Sequence, residues 1–80
     1  MSIEILRFAC NMQLELDNND HKEGWQNLSP VWIINRIKQE TLELEKAVKN
    51  KKLKKEIISE CADVANFAMM LADNIINDNY

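Results

Sequence analysis

Two pairs of carboxylates, each spaced three residues apart, are the residues of this sequence whose types and spacing favour chemistry. Glu40 and Glu43 form the first pair, and Glu60 and Asp63 form the second. On an α-helix, residues three apart lie on one face, with about 5–6 Å between their Cβ atoms. Segment 44–59 is long enough for one helix to end, turn and run back along the next. We therefore expect the four carboxylates to converge.

Converging carboxylates repel one another unless a positive group lies among them. Both pairs border apolar helix positions, and no Lys or Arg follows Asp63 at the third or fourth position. A partly buried acidic cluster without cationic partners is costly unless it binds metal. Mg²⁺, with Mn²⁺ as a substitute, takes oxygen ligands from carboxylates, waters and phosphates. The alternative is that both pairs are ordinary solvated helix surface. The other carboxylates, Glu15 among them, are interpreted as mainly surface residues.

The chemistry that such a site favours is metal-assisted hydrolysis of a polyphosphate. A cation with open coordination positions binds phosphate oxygens and orients a nucleophilic water. The sequence has no Ser–His or Cys–His arrangement for covalent catalysis, and its only glycine, Gly24, forms no glycine-rich phosphate loop. Water attacking a polyphosphate is the simplest chemistry consistent with these residues.

The elements that position the carboxylates are predicted to be helices. Apolar residues recur at helical spacing, and one glycine and one proline leave few breakers. Ser2 is a predicted N-cap, and Ser29 followed by Pro30 is typical of a helix start. We predict helices over residues 2–16, 30–49 and 53–77, a loop over 17–29 and a turn over 50–52.

The third predicted helix is apolar almost all round, which is typical of a helix buried on more than one side. A chain of 80 residues buries only about 60% of its unfolded surface, so it cannot wrap this helix alone. We expect one all-α domain over 1–80, an antiparallel helical bundle completed by oligomerisation. Phe8, Met12 and Trp32 are predicted core residues, although Phe8 and Met12 are also candidates for lining a base pocket.

Composition excludes several classes of partner. The formal charge of −3 argues against general nucleic-acid binding, which requires a basic surface. No apolar run approaches the roughly 18 residues of a membrane span, and no secretory signal is visible. Cys10 and Cys61 lack metal-ligand spacing, so we interpret them as small buried residues of a reducing compartment. The protein is expected to be soluble and cytoplasmic.

The carboxylate pairs and the residues around them resemble the motifs of a known family. Glu-x-x-Glu, a spacer of sixteen residues and Glu-x-x-Asp resemble the signature of the MazG-like superfamily of all-α nucleoside triphosphate pyrophosphohydrolases, which includes dCTP pyrophosphatases and dimeric dUTPases. The stretches 60–67 (ECADVANF) and 19–25 (NDHKEGW) resemble the small bacterial and phage members. The resemblance covers roughly 8–76. Glu23 stands where relatives usually carry Gly, and Gln39 stands where they usually carry an acid.

The resemblance implies Mg²⁺-dependent hydrolysis of a nucleoside triphosphate to the monophosphate and pyrophosphate. It also implies a helical homodimer or homotetramer with sites near subunit contacts. Glu40, Glu43, Glu60 and Asp63 would then be the metal ligands, with one of them also orienting the water. Neither the base nor the sugar of the substrate follows from these motifs.

Several further residues are candidates for binding substrate. Trp25 is predicted either to stack on the nucleobase or to anchor its loop, and Lys22 either contacts phosphate or is solvated. Asn66 either bonds substrate or a metal-bound water, or makes an interhelix hydrogen bond. His21 is interpreted as an exposed loop histidine. The lysine-rich segment 49–55 is either a solvated connector or a weak attractor of an anionic ligand.

Two other functions remain as alternatives to the hydrolase. A nucleotide-binding protein that sequesters its ligand predicts tight binding without turnover. A plain helical interaction module predicts that Mg²⁺ leaves thermal stability unchanged. A metal site instead predicts that Mg²⁺ stabilises the protein by mass action.

Overall fold

The computed structural model describes residues 1–19 and 24–80, and in these ranges the chain is helical and contains no β-strand. The prediction of an all-α chain is confirmed. The helices are α1 (Ile3–Asn18), α2 (Pro30–Lys49) and α3 (Lys54–Ile76), with a short 3₁₀ helix, η1 (Trp25–Asn27), before α2. Each α-helix begins and ends within two residues of its predicted bounds.

Side chains fix the start of α1 and its end. The Ser2 hydroxyl accepts a hydrogen bond from the backbone N–H of Ile5 at 3.2 Å, which confirms the predicted cap. The helix continues two residues beyond the predicted end, to Asn18. The amide of Asn19 then donates to the backbone carbonyl of Glu15 at 2.8 Å and satisfies an otherwise unpaired group of the last turn.

The start of α2 is set by the predicted pair of residues. Ser29 accepts a hydrogen bond from the N–H of Trp32 at 3.1 Å, and Pro30 occupies the first turn. At the other end, Lys51 adopts φ 52° in the left-handed region. This conformation lets the N–H of Lys52 donate to the carbonyl of Ala47 at 3.0 Å, so the chain reverses direction within a few residues.

Helices α2 and α3 form an antiparallel hairpin. The guanidinium of Arg36 lies 5.2 Å from the ring centroid of Phe67, and four residues further along α2 Glu40 lies beside Asp63, four residues earlier in α3. Because one numbering rises while the other falls, the helices run in opposite directions. This arrangement brings the two carboxylate pairs to the same level of the hairpin.

Helix α3 is the central element. Both α1 and α2 pack on it, whereas within residues 1–19 and 24–80 the backbones of α1 and α2 make no close contact with each other. A core of Ile33, Phe67 and Met70 lies between α2 and α3, and Trp25, Leu28 and Leu16 pack against it. None of the helices in the described ranges combines the length and the hydropathy that crossing a bilayer requires.

Several residues predicted to be buried are not. Trp32 is 42% exposed and meets Phe67 edge-on at a centroid distance of 6.2 Å, because α3 is the one described helix that packs on α2. Phe8 and Met12 are half-buried, since α1 packs on α3 alone and buries no residue fully. Cys10 is an exposed free thiol, contrary to the prediction.

Candidate metal centre

Three of the four predicted carboxylates converge at the middle of the hairpin. Glu40, Glu60 and Asp63 each offer a carboxylate oxygen, and these atoms all lie within 4.8 Å of one another. Glu40 comes from the α2 face that meets α3, and its partners lie one turn apart on α3. The spacing of three residues and the antiparallel hairpin together produce the convergence that the sequence predicts.

Glu43, the fourth predicted carboxylate, lies at the solvent edge of this cluster. Its side chain is within hydrogen-bond reach of both Glu40 and Glu60. It is exposed, whereas Glu40 is only 5% exposed. The predicted set therefore consists of one buried carboxylate, two half-buried ones and one at the rim. We call Glu40, Glu43, Glu60 and Asp63 the acidic cluster.

One cation does lie beside the acidic cluster, contrary to the expectation that the cluster lacks a cationic partner. Arg36 donates to Oε1 of Glu40 at 2.6 Å and covers the ring of Phe67 with its guanidinium. It also donates to Gln39, the residue that stands where the resemblance leads one to expect an acid. The sequence signal for this pair is the spacing of four residues between Arg36 and Glu40.

Arg36 compensates only part of the cluster. Oε2 of Glu40 and Oε2 of Glu60 are buried and have no hydrogen-bond partner among the described residues. A buried carboxylate oxygen without a donor is costly. A hard divalent cation fits such a set because every available ligand is an oxygen. The residues present are therefore compatible with Mg²⁺ or Mn²⁺.

Burial and mutual repulsion raise the pKa values of Glu40, Glu60 and Asp63. Burial raises the pKa of Asp63 to about 7, and the neighbouring charges of Glu15 and Glu40 add to the shift. Burial likewise raises the pKa of Glu40 to about 6, with Glu43 adding to the shift and Arg36 opposing it. The pKa of Glu60 is raised by burial and then by Glu43 and Glu15. In the absence of a cation, the cluster therefore retains protons at higher pH than isolated carboxylates do.

A fifth carboxylate, Glu15 of α1, lies beside the acidic cluster. The prediction that it is a surface residue is wrong. It is half-buried, within hydrogen-bond reach of Asp63, and accepts a hydrogen bond from the Ser59 hydroxyl. The available signal was its position on α1, next to Leu16 and one turn after Met12 on the helix's apolar side. That signal does not reveal which helix the side chain faces.

Asn66 is 4% exposed and links α3 to α1. Its side-chain Nδ2 donates to the backbone carbonyl of Met12 at 3.0 Å, so the predicted interhelix hydrogen bond is present. Its Oδ1 is buried and has no partner among the described residues, and Asn66 lines a small cavity together with Glu15 and Asp63. A contact between Asn66 and substrate stays a prediction.

Trp25 is tied to the carboxyl-terminal half of α3. Its indole N–H donates to the Asp73 carboxylate at 3.0 Å, and its backbone carbonyl accepts from the Asn74 amide at 2.9 Å. These contacts anchor the loop as predicted, and stacking of Trp25 on a base stays a prediction. The predicted residues Lys22 and His21 lie outside the described residues.

Comparison of the chain with models of known protein families, with curated proteins and with solved structures gives no match. The resemblance to the MazG-like superfamily therefore depends on the motifs alone. The geometry of the acidic cluster is an observation that stands independently of it.

Proposed function

We propose that the protein is a Mg²⁺-dependent nucleoside triphosphate pyrophosphohydrolase. Water adds across the anhydride bond between the α- and β-phosphates, which yields the nucleoside monophosphate and pyrophosphate. The observation that carries the proposal is the convergence of Glu40, Glu60 and Asp63, with two buried carboxylate oxygens that lack hydrogen-bond partners among the described residues. The motif spacing and the all-helical hairpin are consistent with it.

Glu40, Glu43, Glu60 and Asp63 are the residues that would hold the cation, and one of them also orients the attacking water. When bound, Mg²⁺ supplies positive charge that neutralises phosphate oxygens and activates water. Arg36 holds Glu40 in place through their ion pair at 2.6 Å.

Glu15 acts on the site from α1. Its carboxyl group lies within hydrogen-bond reach of Asp63, and the Ser59 hydroxyl fixes its position. Asp63 thus faces a carboxylate from a third segment of the chain, and the negative charge of Glu15 adds to the repulsion that a bound cation would relieve.

Lys22, Trp25 and Asn66 are proposed to contact the nucleotide. Trp25 lies on the α3 side of its loop, and Asn66 lies one turn after Asp63, with a buried Oδ1 that has no partner among the described residues. Trp25 would stack on the base, Lys22 would pair with a phosphate, and the amide of Asn66 would hydrogen-bond to the substrate.

We further propose that the protein works as a cytoplasmic homodimer or homotetramer, without nucleic acid or a membrane as partner. Its accessible surface of 5878 Å² exceeds the roughly 5000 Å² expected for a compact folded chain of 9.4 kDa. Large apolar side chains are exposed on all three helices, among them Ile3, Ile5, Val31, Trp32, Ile34, Ile75 and Ile76. Association of subunits would cover such residues.

The test is pyrophosphate release from a panel of ribo- and deoxyribonucleoside triphosphates, with and without Mg²⁺. Asp63→Asn keeps the side-chain shape but removes the charge, and we expect it to abolish release. Glu45→Gln is the matched control, since Glu45 is an exposed acid of α2 that pairs with Lys49. Release that survives Asp63→Asn, or that needs no divalent cation, would contradict the proposed site.

The same assay separates the hydrolase from its alternatives. Mg²⁺-dependent nucleotide binding without release of pyrophosphate indicates a sequestering protein. Neither binding nor release indicates a helical interaction module whose acids have no catalytic role.

A further inference from the structure

A cavity of about 380 Å³ opens between the end of α2 and the start of α3, directly beside the acidic cluster. We call it the hairpin cavity. Glu43 and Glu60 of the cluster form one part of its wall, and Lys46, Asn50 and Lys52 form another. Since a water molecule takes up about 30 Å³ of the liquid, the cavity has room for a group many times larger than water.

The two lysines of the hairpin cavity differ from their neighbour on α2. Lys49 is paired with Glu45 at 3.4 Å, whereas in the described part of the chain Lys46 and Lys52 form no ion pair. Both ammonium groups are therefore available to a ligand. Ammonium groups are common binders of phosphate in proteins.

The charges around the hairpin cavity impose a condition on that ligand. Glu56 also lines the wall, so three carboxylates stand against two lysines. The lining therefore attracts an anion only when a divalent cation compensates Glu43 and Glu60. We expect an anionic ligand to bind here together with a divalent cation.

The helix ends that border the cavity carry dipole charges of opposite sign, so they do not by themselves select an anion. The last carbonyls of α2 already accept backbone hydrogen bonds, including Asn50 N–H to Lys46 at 2.9 Å and Lys52 N–H to Ala47 at 3.0 Å. At the start of α3, Leu53 occupies the cap position and supplies no side-chain acceptor. The first turn of α3 already carries the negative charge of Glu56, so the attraction for an anion has to come from the two lysines and a bound cation.

We propose that the hairpin cavity binds the pyrophosphate portion of the substrate, with Lys46 and Lys52 as its phosphate contacts. The assignment of substrate rests on the proposed function. Apart from Ala47, the described residues of the wall carry charged or amide side chains and none is aromatic, so the wall suits the phosphate chain and not the base. Pyrophosphate is then both the leaving group and a ligand of the free protein.

The experiment is a calorimetric titration with inorganic pyrophosphate, at fixed Mg²⁺ and again without it. Lys46→Gln and Lys52→Gln are compared with Lys49→Gln, which removes the same charge from a side chain outside the cavity. We expect each cavity variant to weaken pyrophosphate binding by about tenfold or more, as for loss of a charge-assisted hydrogen bond. The control should stay within about twofold, because screened surface charges contribute little.

Thermal unfolding of each variant shows whether the fold is retained. Equal affinity losses in all three lysine variants would overturn the proposal, because they would show that pyrophosphate binding depends on the net charge of the protein and not on the cavity. Binding of pyrophosphate that is unaffected by Mg²⁺ would overturn it as well, as would the absence of binding by the wild-type chain.

These results are distinguishable from failure of the proposed function, since the titration needs no turnover. If nucleotides are hydrolysed but the cavity variants bind pyrophosphate normally, the cavity assignment is wrong and the function stands. If no nucleotide is hydrolysed but Mg²⁺-pyrophosphate binding depends on Lys46 and Lys52, the cavity assignment stands and the protein is a phosphate-binding one.

Discussion

The two halves of the α2–α3 hairpin bury groups of opposite character, apolar in one half and acidic in the other. Around Phe67 the helices bury Ile33 and Met70 and gain stability from apolar contact. Nearer the turn they bury Glu40 against Glu60 and Asp63, where repulsion opposes folding. The apolar half therefore stabilises an arrangement that the acidic half disfavours. A bound cation would offset the repulsion in the acidic half.

Arg36 stands at the boundary between these halves. One side of its guanidinium covers Phe67, and Nη2 donates to Glu40. Its side chain therefore contacts both the apolar core and the acidic cluster. Displacement of the core should therefore disturb the ligands as well.

Removal of the Phe67 side chain should give the largest loss of stability. We expect Phe67→Ala to lower the free energy of unfolding by about 3–5 kcal/mol, since it removes a buried aromatic ring and leaves a cavity. Urea denaturation measures this change, with Phe67→Leu as a milder control. A loss below about 1 kcal/mol would show that the apolar half does not hold the hairpin together.

Neutralisation of an acid in the cluster should have the opposite sign when no cation is bound. We expect Glu60→Gln in the presence of a chelator to raise the free energy of unfolding by about 0.5–1 kcal/mol, the range of partly screened charge interactions. The same variant should lose most of the stabilisation that Mg²⁺ gives to the wild-type chain. Glu45→Gln should do neither, and a destabilised Glu60→Gln variant would contradict the account of repulsion.

The stability of the cation-free protein should fall as pH rises. The pKa of Asp63 is raised from 3.8 to about 7 and that of Glu40 from 4.5 to about 6. The folded chain therefore binds more protons than the unfolded chain in this window. The free energy of unfolding then decreases with rising pH and levels off above the raised values.

Mg²⁺ and protons should compete for the same carboxylates. We expect the increase in melting temperature on adding Mg²⁺ to be larger at about pH 8 than at about pH 5. Differential scanning fluorimetry at both pH values measures it. An equal increase at both values would place the cation elsewhere.

Glu15→Gln should have the smallest effect and reports on the contribution of α1. The amide keeps an oxygen that accepts from Ser59 but removes a charge that raises the pKa of Asp63. We expect the pH-dependent loss of stability to move to lower pH while hydrolysis falls less than about tenfold. Glu4→Gln, an exposed acid of the same helix, is the control. An unshifted profile would show that Glu15 does not act on Asp63.

Local signals of the sequence predicted the helices and the carboxylate pairs. Ser2 and Ser29 cap their helices as their chemistry suggests, and the segment between the pairs is long enough to close a hairpin. These features depend on neighbours within a few residues or on chain length. Once the two helices run antiparallel, the carboxylate pairs lie side by side.

Contacts of α1 could not be predicted in the same way. Which face of α1 meets α3 depends on packing between segments that are far apart in sequence, so Glu15 was assigned to the surface although it lies near Asp63. Trp32 and Cys10 are exposed, although their apolar character predicts burial. Apolar character predicts a preference for burial but does not supply the helix that covers the residue.

The most direct test of the central claim is a titration with Mn²⁺ followed by electron paramagnetic resonance. It counts the ions bound per chain in the wild-type protein, in Asp63→Asn and in the control Glu45→Gln. The account predicts at least one bound ion in the wild type and the control, and its loss in Asp63→Asn. Absence of binding at millimolar Mn²⁺, or equal binding by all three proteins, would contradict a metal centre at Glu40, Glu60 and Asp63.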